Sequence, residues 1–141
     1  MRFLIFSFLF LLLFPFLTIA QDRCDSIPQL PYKAIIAGKT DSITVDAILQ
    51  AGKVQSSNPA FKVLSFIVGA VPPGTGCYSE AHCATDTLSP EVIAYIKRMP
   101  PRTRLYFDCV RVKNSIGKEY VLKSTMYKIC AKLPSLLVHR E

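Results

Sequence analysis

Phe61-Lys62-Val63-Leu64-Ser65-Phe66-Ile67-Val68 alternates apolar with polar residues, is rich in β-branched and aromatic types, and is bounded by turn residues. A period of two is the mark of a half-buried strand, because successive side chains leave a strand on opposite faces. Phe61 and Phe66 have opposite parity, so one ring faces outward unless a bulge resets the alternation. An outward Phe beside Lys62 would form a docking spot.

The flanking sequence builds a domain around that strand. Upstream, Lys33-Ala34-Ile35-Ile36-Ala37 is a short apolar strand stopped by Gly38, and Asp41-Ser42 make a turn. Thr44 caps a short helix over 45–51, with Asp46 in its first turn, Gly52 past its end, and Val45, Ile48 and Leu49 on the inward stripe. Downstream, Pro72-Pro73-Gly74-Thr75-Gly76 forbids regular structure. Ser89-Pro90-Glu91 then opens a second helix running to about Met99, with Val92, Ile93 and Ile96 inward. Arg104 to Lys113 alternates as a strand, Asn114-Ser115-Ile116-Gly117 turns the chain, and Glu119 to Ile129 returns as its hairpin partner. The expected fold is mainly β with two short helices (α+β), a small sandwich-like domain closed by a C-terminal β-hairpin.

At the N-terminus, Met1-Arg2 precedes an apolar run ending near Phe16, and Thr18-Ile19-Ala20 supplies small residues ahead of polar Gln21-Asp22. This is the pattern of a secretory leader over residues 1–20, the alternative being an uncleaved N-terminal anchor. Residues 21–32 are a lead-in segment, 33–130 a single domain, and 131–141 a tail of weak pattern. Without the leader, 16 basic and 10 acidic residues remain, a net charge of +6. Export makes nucleic acid an unsuitable partner for that charge. The densest basic group, Lys97 to Arg104, sits at a helix end, where cations complement the backbone dipole. Lys62, Arg102, Arg104, Arg111 and Lys113 are the candidates for an interaction surface. The expected location is periplasmic, outer-envelope or secreted.

All five cysteines (Cys24, Cys77, Cys83, Cys109, Cys130) follow the leader, and an oxidising compartment favours disulfides. At most two bridges and one free thiol can form, with about fifteen connectivities open. Closeness in sequence makes Cys77–Cys83 the first pairing to expect. The same loop holds Glu80 and His82, so its four side chains are also a metal-ligand set in type. The paired Cys-x-x-Cys spacing of structural zinc sites is missing, and a disulfide-closed loop is the plainer reading. Catalysis finds little support. His82 and His139 are the chain's two histidines, no Gly-x-Ser-x-Gly elbow occurs, and the Gly74/Gly76 loop lacks the following Lys-Ser/Thr of a phosphate cradle. The expectation is a protein without catalytic residues, metal or cofactor, and with no small-molecule substrate evident. The tyrosines and phenylalanines on the strands suit cross-strand packing better than ligand stacking.

Taken in order, several stretches resemble the C-terminal domain of the gliding-motility and type IX secretion protein M (GldM) family. They are Ile35-Ile36-Ala37-Gly38-Lys39, Ser42-Ile43-Thr44, Ile48-Leu49-Gln50-Ala51-Gly52-Lys53-Val54, Phe61-Lys62-Val63-Leu64-Ser65-Phe66, Leu88-Ser89-Pro90-Glu91-Val92-Ile93 and Arg104-Leu105-Tyr106-Phe107-Asp108. Val110 and the Gly117 hairpin follow, so the resemblance spans residues 33–129. It implies a protein–protein interaction module of the bacterial cell envelope, with envelope, type IX secretion or gliding proteins as partners. That family's proteins are long, with several periplasmic domains behind a membrane helix that meets a motor. A single exported domain would keep the fold and a mode of docking, not the transmission of force. The five cysteines and the insertion around residues 72–87 depart from the family pattern. A secreted carbohydrate- or peptidoglycan-binding domain is the alternative reading.

Overall fold

The computed structural model describes residues 23–132; the expected leader, and the tail from residue 133 on with His139, lie outside the described residues. The domain is mainly β with two helices, as its patterning predicts, and the C-terminal hairpin lies within the sheet. Its strands are β1 (Gln29–Ile35), β2 (Ser42–Thr44), β3 (Gln55–Ser56), β4 (Lys62–Val71), β5 (Ser79–Cys83), β6 (Arg104–Lys113), β7 (Glu119–Lys123) and β8 (Thr125–Cys130). The helices are α1 (Val45–Ala51) and α2 (Pro90–Lys97).

β6 is the strand on which the others assemble. Its buried residues are Leu105 and Phe107, then Val110 and Val112, all 0% exposed. Odd positions give way to even ones between them, which in a regular strand would turn half of these side chains to solvent. The register against β4 shows how this is avoided: Ile67 faces Asp108 but Ser65 faces Arg111, so Cys109 and Val110 together oppose Phe66. That bulge carries Cys109 at φ 46 and restores the inward direction. β4 has its own irregularity, because Val63 faces Val112 while Ser65 faces Arg111, leaving Leu64 as the extra residue. The two parities of Phe61 and Phe66 are thereby reconciled. Phe66 is buried, and Phe61 stacks between Tyr32 and Tyr120 at ring separations of 5.6 and 5.7 Å. The expected outward Phe does not occur. β4 is also more enclosed than a half-buried strand, since every residue from Phe66 to Ala70 is buried.

β4 pairs antiparallel with β6 on one edge and with β5 on the other. The far edge of β6 takes the returning arm of the hairpin, which is split at Ser124: β8 pairs with residues 104–107 and β7 with 111–113, in one continuous register. Beyond the split the sheet forks. β7 pairs in parallel with β1, which is backed by β3, while β8 pairs in parallel with β2. The result is one open mixed sheet. The first strand runs from Gln29 to Ile35 rather than from Lys33 to Ala37, because Val121 and Leu122 offer partners to Gln29 and Leu30. Pro31, which has no N–H to donate, falls in the register irregularity between Leu30 and Lys33.

Both helices start as their caps dictate. Thr44 Oγ1 accepts from the Ala47 N–H at 3.2 Å and Ser89 Oγ from the Val92 N–H at 3.3 Å, with Pro90 in the first turn. Gly52, at φ 67, ends α1 by donating its N–H to the Ile48 carbonyl at 3.1 Å. Ile48, Val92 and Ile96 are fully buried in the core formed with Phe66, Leu105, Phe107 and Tyr127. The rings of Phe66, Phe107 and Tyr127 run in series at 5.9 and 5.7 Å, and the Tyr127 hydroxyl donates to the Lys39 carbonyl at 2.8 Å. Among the described residues no helix is long and apolar enough to cross a membrane.

The cysteines pair across the domain. Cys24, in a short 3-10 turn over Arg23–Ser26, is disulfide-bonded to Cys109 with a Cα–Cα distance of 5.7 Å. The expected Cys77–Cys83 bridge is absent: Cys77 is exposed, Cys83 is buried, and both are free, as is exposed Cys130. The extended run of β5 accounts for this. At about 3.3 Å per residue it carries Cys83 roughly 13 Å from Ser79, whereas bridged Cα atoms stand about 4–7 Å apart.

Alkylation of the unreduced, denatured protein should therefore add three groups, and alkylation of the native protein should label Cys77 and Cys130 well before Cys83. Labelling at Cys24 or Cys109 would refute the pairing. Phe107→Ala, which empties the centre of the ring series, should cost about 3–5 kcal/mol in urea denaturation.

Candidate functional site

Strand alternation sorts the polar residues of the sheet onto the face opposite the core. Pairing sets His82, Ile67 and Asp108 in one cross-strand row, and Glu80, Gly69, Tyr106 and Met126 in the next. Val71, Arg104 and Lys128 form a third row. Tyr78 lies across Gly69, where a Cβ would overlap its ring. The Tyr78 hydroxyl donates to Asp108 Oδ2 at 3.2 Å, the Ser124 hydroxyl donates to Asp108 Oδ1, and the Tyr78 and Tyr106 rings stand 6.4 Å apart. His82 Nε2 is 3.3 Å from Glu80 Oε1.

The ligand-type set Cys77, Glu80, His82 and Cys83 does not converge. Cys83 faces the core, 3.9 Å from Ser89 Oγ, while His82 and Glu80 point the other way. Among the described residues no group of three or more His, Cys, Asp or Glu side chains is placed to hold a metal ion.

The five basic candidates fall in three places. Lys62 and Lys113 are direct cross-strand neighbours on β4 and β6, and they line a cleft of about 650 Å3 with Lys53, Phe61 and Asp86. Arg102 and Arg104 line a second cleft, of about 420 Å3, at the opposite end of the same strands with Lys128 and Gly74. Arg104 stands directly opposite Lys128. Arg102 has φ 69 and donates its N–H to the Ile129 carbonyl at 2.8 Å, so a left-handed residue sets the mouth of this cleft. Arg111 belongs to neither cleft: its guanidinium pairs with Glu119 at 2.5 Å. The basic run after α2 thus divides, since Arg98 Nε serves the helix end by donating to the Ala94 carbonyl at 3.1 Å.

Like charges directly opposite on neighbouring strands are mutually destabilising. The sheet carries three such pairs: Lys62/Lys113, Arg104/Lys128 and Lys33/Lys123. Two of them line clefts. Lys53 and Lys128 complete those clefts and are not among the residues singled out from sequence. The signal for Lys128 lies in the hairpin register, which pairs it with Arg104; the position of Lys53 depends on β3 and has no local signal.

The chain matches no protein-family model and no curated protein.

The Tyr78 phenol is held well above its ordinary value of 10.0, first by desolvation and then by the charge and hydrogen bond of Asp108 and by Glu80. A folded-state value above the unfolded one means that the contribution to stability is complete below about pH 10 and is lost as pH rises beyond it. Tyr78→Phe should therefore lose less stability than the parent protein on going to still higher pH. Gly69→Ala should push the ring off Asp108 and bring one late-titrating tyrosine back toward the ordinary range in an ultraviolet titration. An unchanged titration curve would mean that the ring does not lie on Gly69.

Proposed function

We propose that this chain is a non-catalytic interaction module of the bacterial cell envelope, the role implied by its resemblance to the C-terminal domain of the GldM family. The observation that carries this reading is the Lys62/Lys113 cleft. A like-charge pair stands there at a cost to the free protein, at the end of β4 that β5 does not reach. The Cys24–Cys109 disulfide suits a compartment outside the reducing cytoplasm. Envelope, type IX secretion or gliding proteins are the proposed partners, with the two basic clefts as contact surfaces.

One observation favours glycan or peptidoglycan binding instead. Tyr78 is 49% exposed on the outer face, with Tyr106 behind it and the Arg104 row alongside. Aromatic rings beside polar groups are the usual furniture of sugar sites.

Mild cross-linking in native cells, followed by affinity capture of the tagged protein, separates the two. Recovery of secretion- or motility-machine proteins is expected. Recovery of cell-wall fragments alone would transfer the case to glycan binding, and an empty capture with the protein in the medium would defeat the envelope role.

A further inference from the structure

We propose that the sheet face opposite the helices binds a uronate-bearing polysaccharide, with one sugar stacked on Tyr78 and the carboxylate of its neighbour in the Arg102/Arg104/Lys128 cleft. This rests on the glycan reading of that face and adds the class of glycan. Ile48, Val92 and Ile96 of the two helices share the core with Phe66, Leu105 and Phe107, so the helices occupy one side of the sheet. The rows Gly69/Tyr106/Met126 and Val71/Arg104/Lys128 belong to the other side. Tyr78, at 49% exposure, and Met126, at 46%, are two of the three exposed large hydrophobic residues among those described, and both lie on this face.

Tyr78 is built as a stacking platform. Gly69 has no Cβ, and the Tyr78 ring rests in the space that one would fill. Its hydroxyl donates to Asp108 Oδ2 at 3.2 Å, and Tyr106 flanks it at a ring separation of 6.4 Å. The ring is thus fixed from below and at its edge, with half of the residue left to solvent. A ring held in place before binding gives up little freedom when a sugar stacks on it.

Charge then changes sign along the strands. The carboxylates near Tyr78 are already engaged, Asp108 by the Tyr78 and Ser124 hydroxyls and Glu80 by His82. One row further on, Arg104 and Lys128 join Arg102 in a cleft of about 420 Å3 that has no carboxylate in its walls. A space of that size takes a small ligand. From about 3.3 Å of rise and about 4.8 Å between strands, Gly69 and Arg104 stand roughly 8 Å apart, the step from one sugar to the acid of the next. Two guanidiniums match the planar fork of a carboxylate, and its arrival relieves the repulsion between Arg104 and Lys128. A uronate chain alone combines a ring face for Tyr78, hydroxyls for Glu80 and an acid for the cleft. An acidic peptide would bring its carboxylates against Glu80 as well, and a lipid phosphate has no ring face. In the Lys62/Lys113 cleft the aromatic residue, Phe61, is held between Tyr32 and Tyr120 and offers no such platform.

The test is fluorescence anisotropy with a labelled hexamer of galacturonic acid, alongside an uncharged galactose hexamer and a glutamate hexamer. Saturable binding of the galacturonate hexamer is expected, with both controls weaker by about tenfold or more. Arg104→Ala/Lys128→Ala should weaken it about tenfold by removing charge-assisted hydrogen bonds, and added salt should weaken it too. Tyr78→Ala should lower the affinity without altering its salt dependence, whereas Tyr78→Phe, which keeps the ring, should retain most of it. Equal binding of the glutamate hexamer would reduce the face to a general attraction for anions and overturn the proposal, as would galacturonate binding indifferent to these substitutions. Equal binding of the galactose hexamer, lost in Tyr78→Ala, would remove the acidic preference and leave the glycan reading standing. Absence of binding to both saccharides would defeat the two together, while capture of envelope proteins would still decide the interaction module.

Discussion

The bulge at Cys109 is the constraint on which the rest of the sheet depends. Without it, one half of β6 would bury Leu105 and Phe107 while the other turned Val110 and Val112 outward. A non-glycine residue at φ 46 occupies a sparsely populated backbone region and persists only where its surroundings enforce it. The disulfide to Cys24 supplies that enforcement from outside the sheet and, in doing so, fixes the start of the domain against its central strand. On the chain-entropy account, a bridge across a separation of 85 residues restricts the unfolded chain by about 4–5 kcal/mol. The fork between β7 and β8 opens beside the same residues, with Asp108 holding the Ser124 hydroxyl at the point where the returning arm breaks.

The bulges also determine where the cations end up. The irregularity at Leu64 keeps Val63 turned toward the core while Lys62 stays opposite Lys113, at the end of β4 that β5 does not reach. Inward apolar direction and outward basic pairing are thus two results of one backbone event. At the other end, uninterrupted pairing brings Arg104 against Lys128, and the left-handed Arg102 completes the ring of cations. Arg111, between the two, is neutralised by Glu119. Two of the three like-charge pairs thus stand at the ends of β6, a distribution that helps neither folding nor packing.

Local chemistry was legible in the sequence, and non-local pairing was not. Thr44, Gly52, Ser89 and Pro90 act on backbone groups within one turn of themselves, so both helices begin where their caps stand. The hairpin register follows from a short turn between Lys113 and Glu119. Nothing local marks Gln29–Ile35 as a parallel partner of β7, or Ser42–Thr44 as one of β8, because those contacts depend on residues some ninety positions away. The cysteines repeat the lesson. Nearness in sequence suggested Cys77 with Cys83, but an extended strand between them separates what a loop would have joined, and the bridge formed is the long-range one.

The same asymmetry explains why the candidate site was only half visible. Lys62 and Lys113 stand out because each flanks an alternating apolar strand, and a charge at such a position is free to face a partner. That they face each other follows from a register containing two compensating bulges, which periodicity does not encode. The end of the β4–β5 ladder at Phe66 is less visible still, since it arises because the chain after Cys83 bonds to Val54 instead of continuing along β4. Basic residues at a strand end are also a standard protection against self-association, because lysines repel a second copy of the same edge.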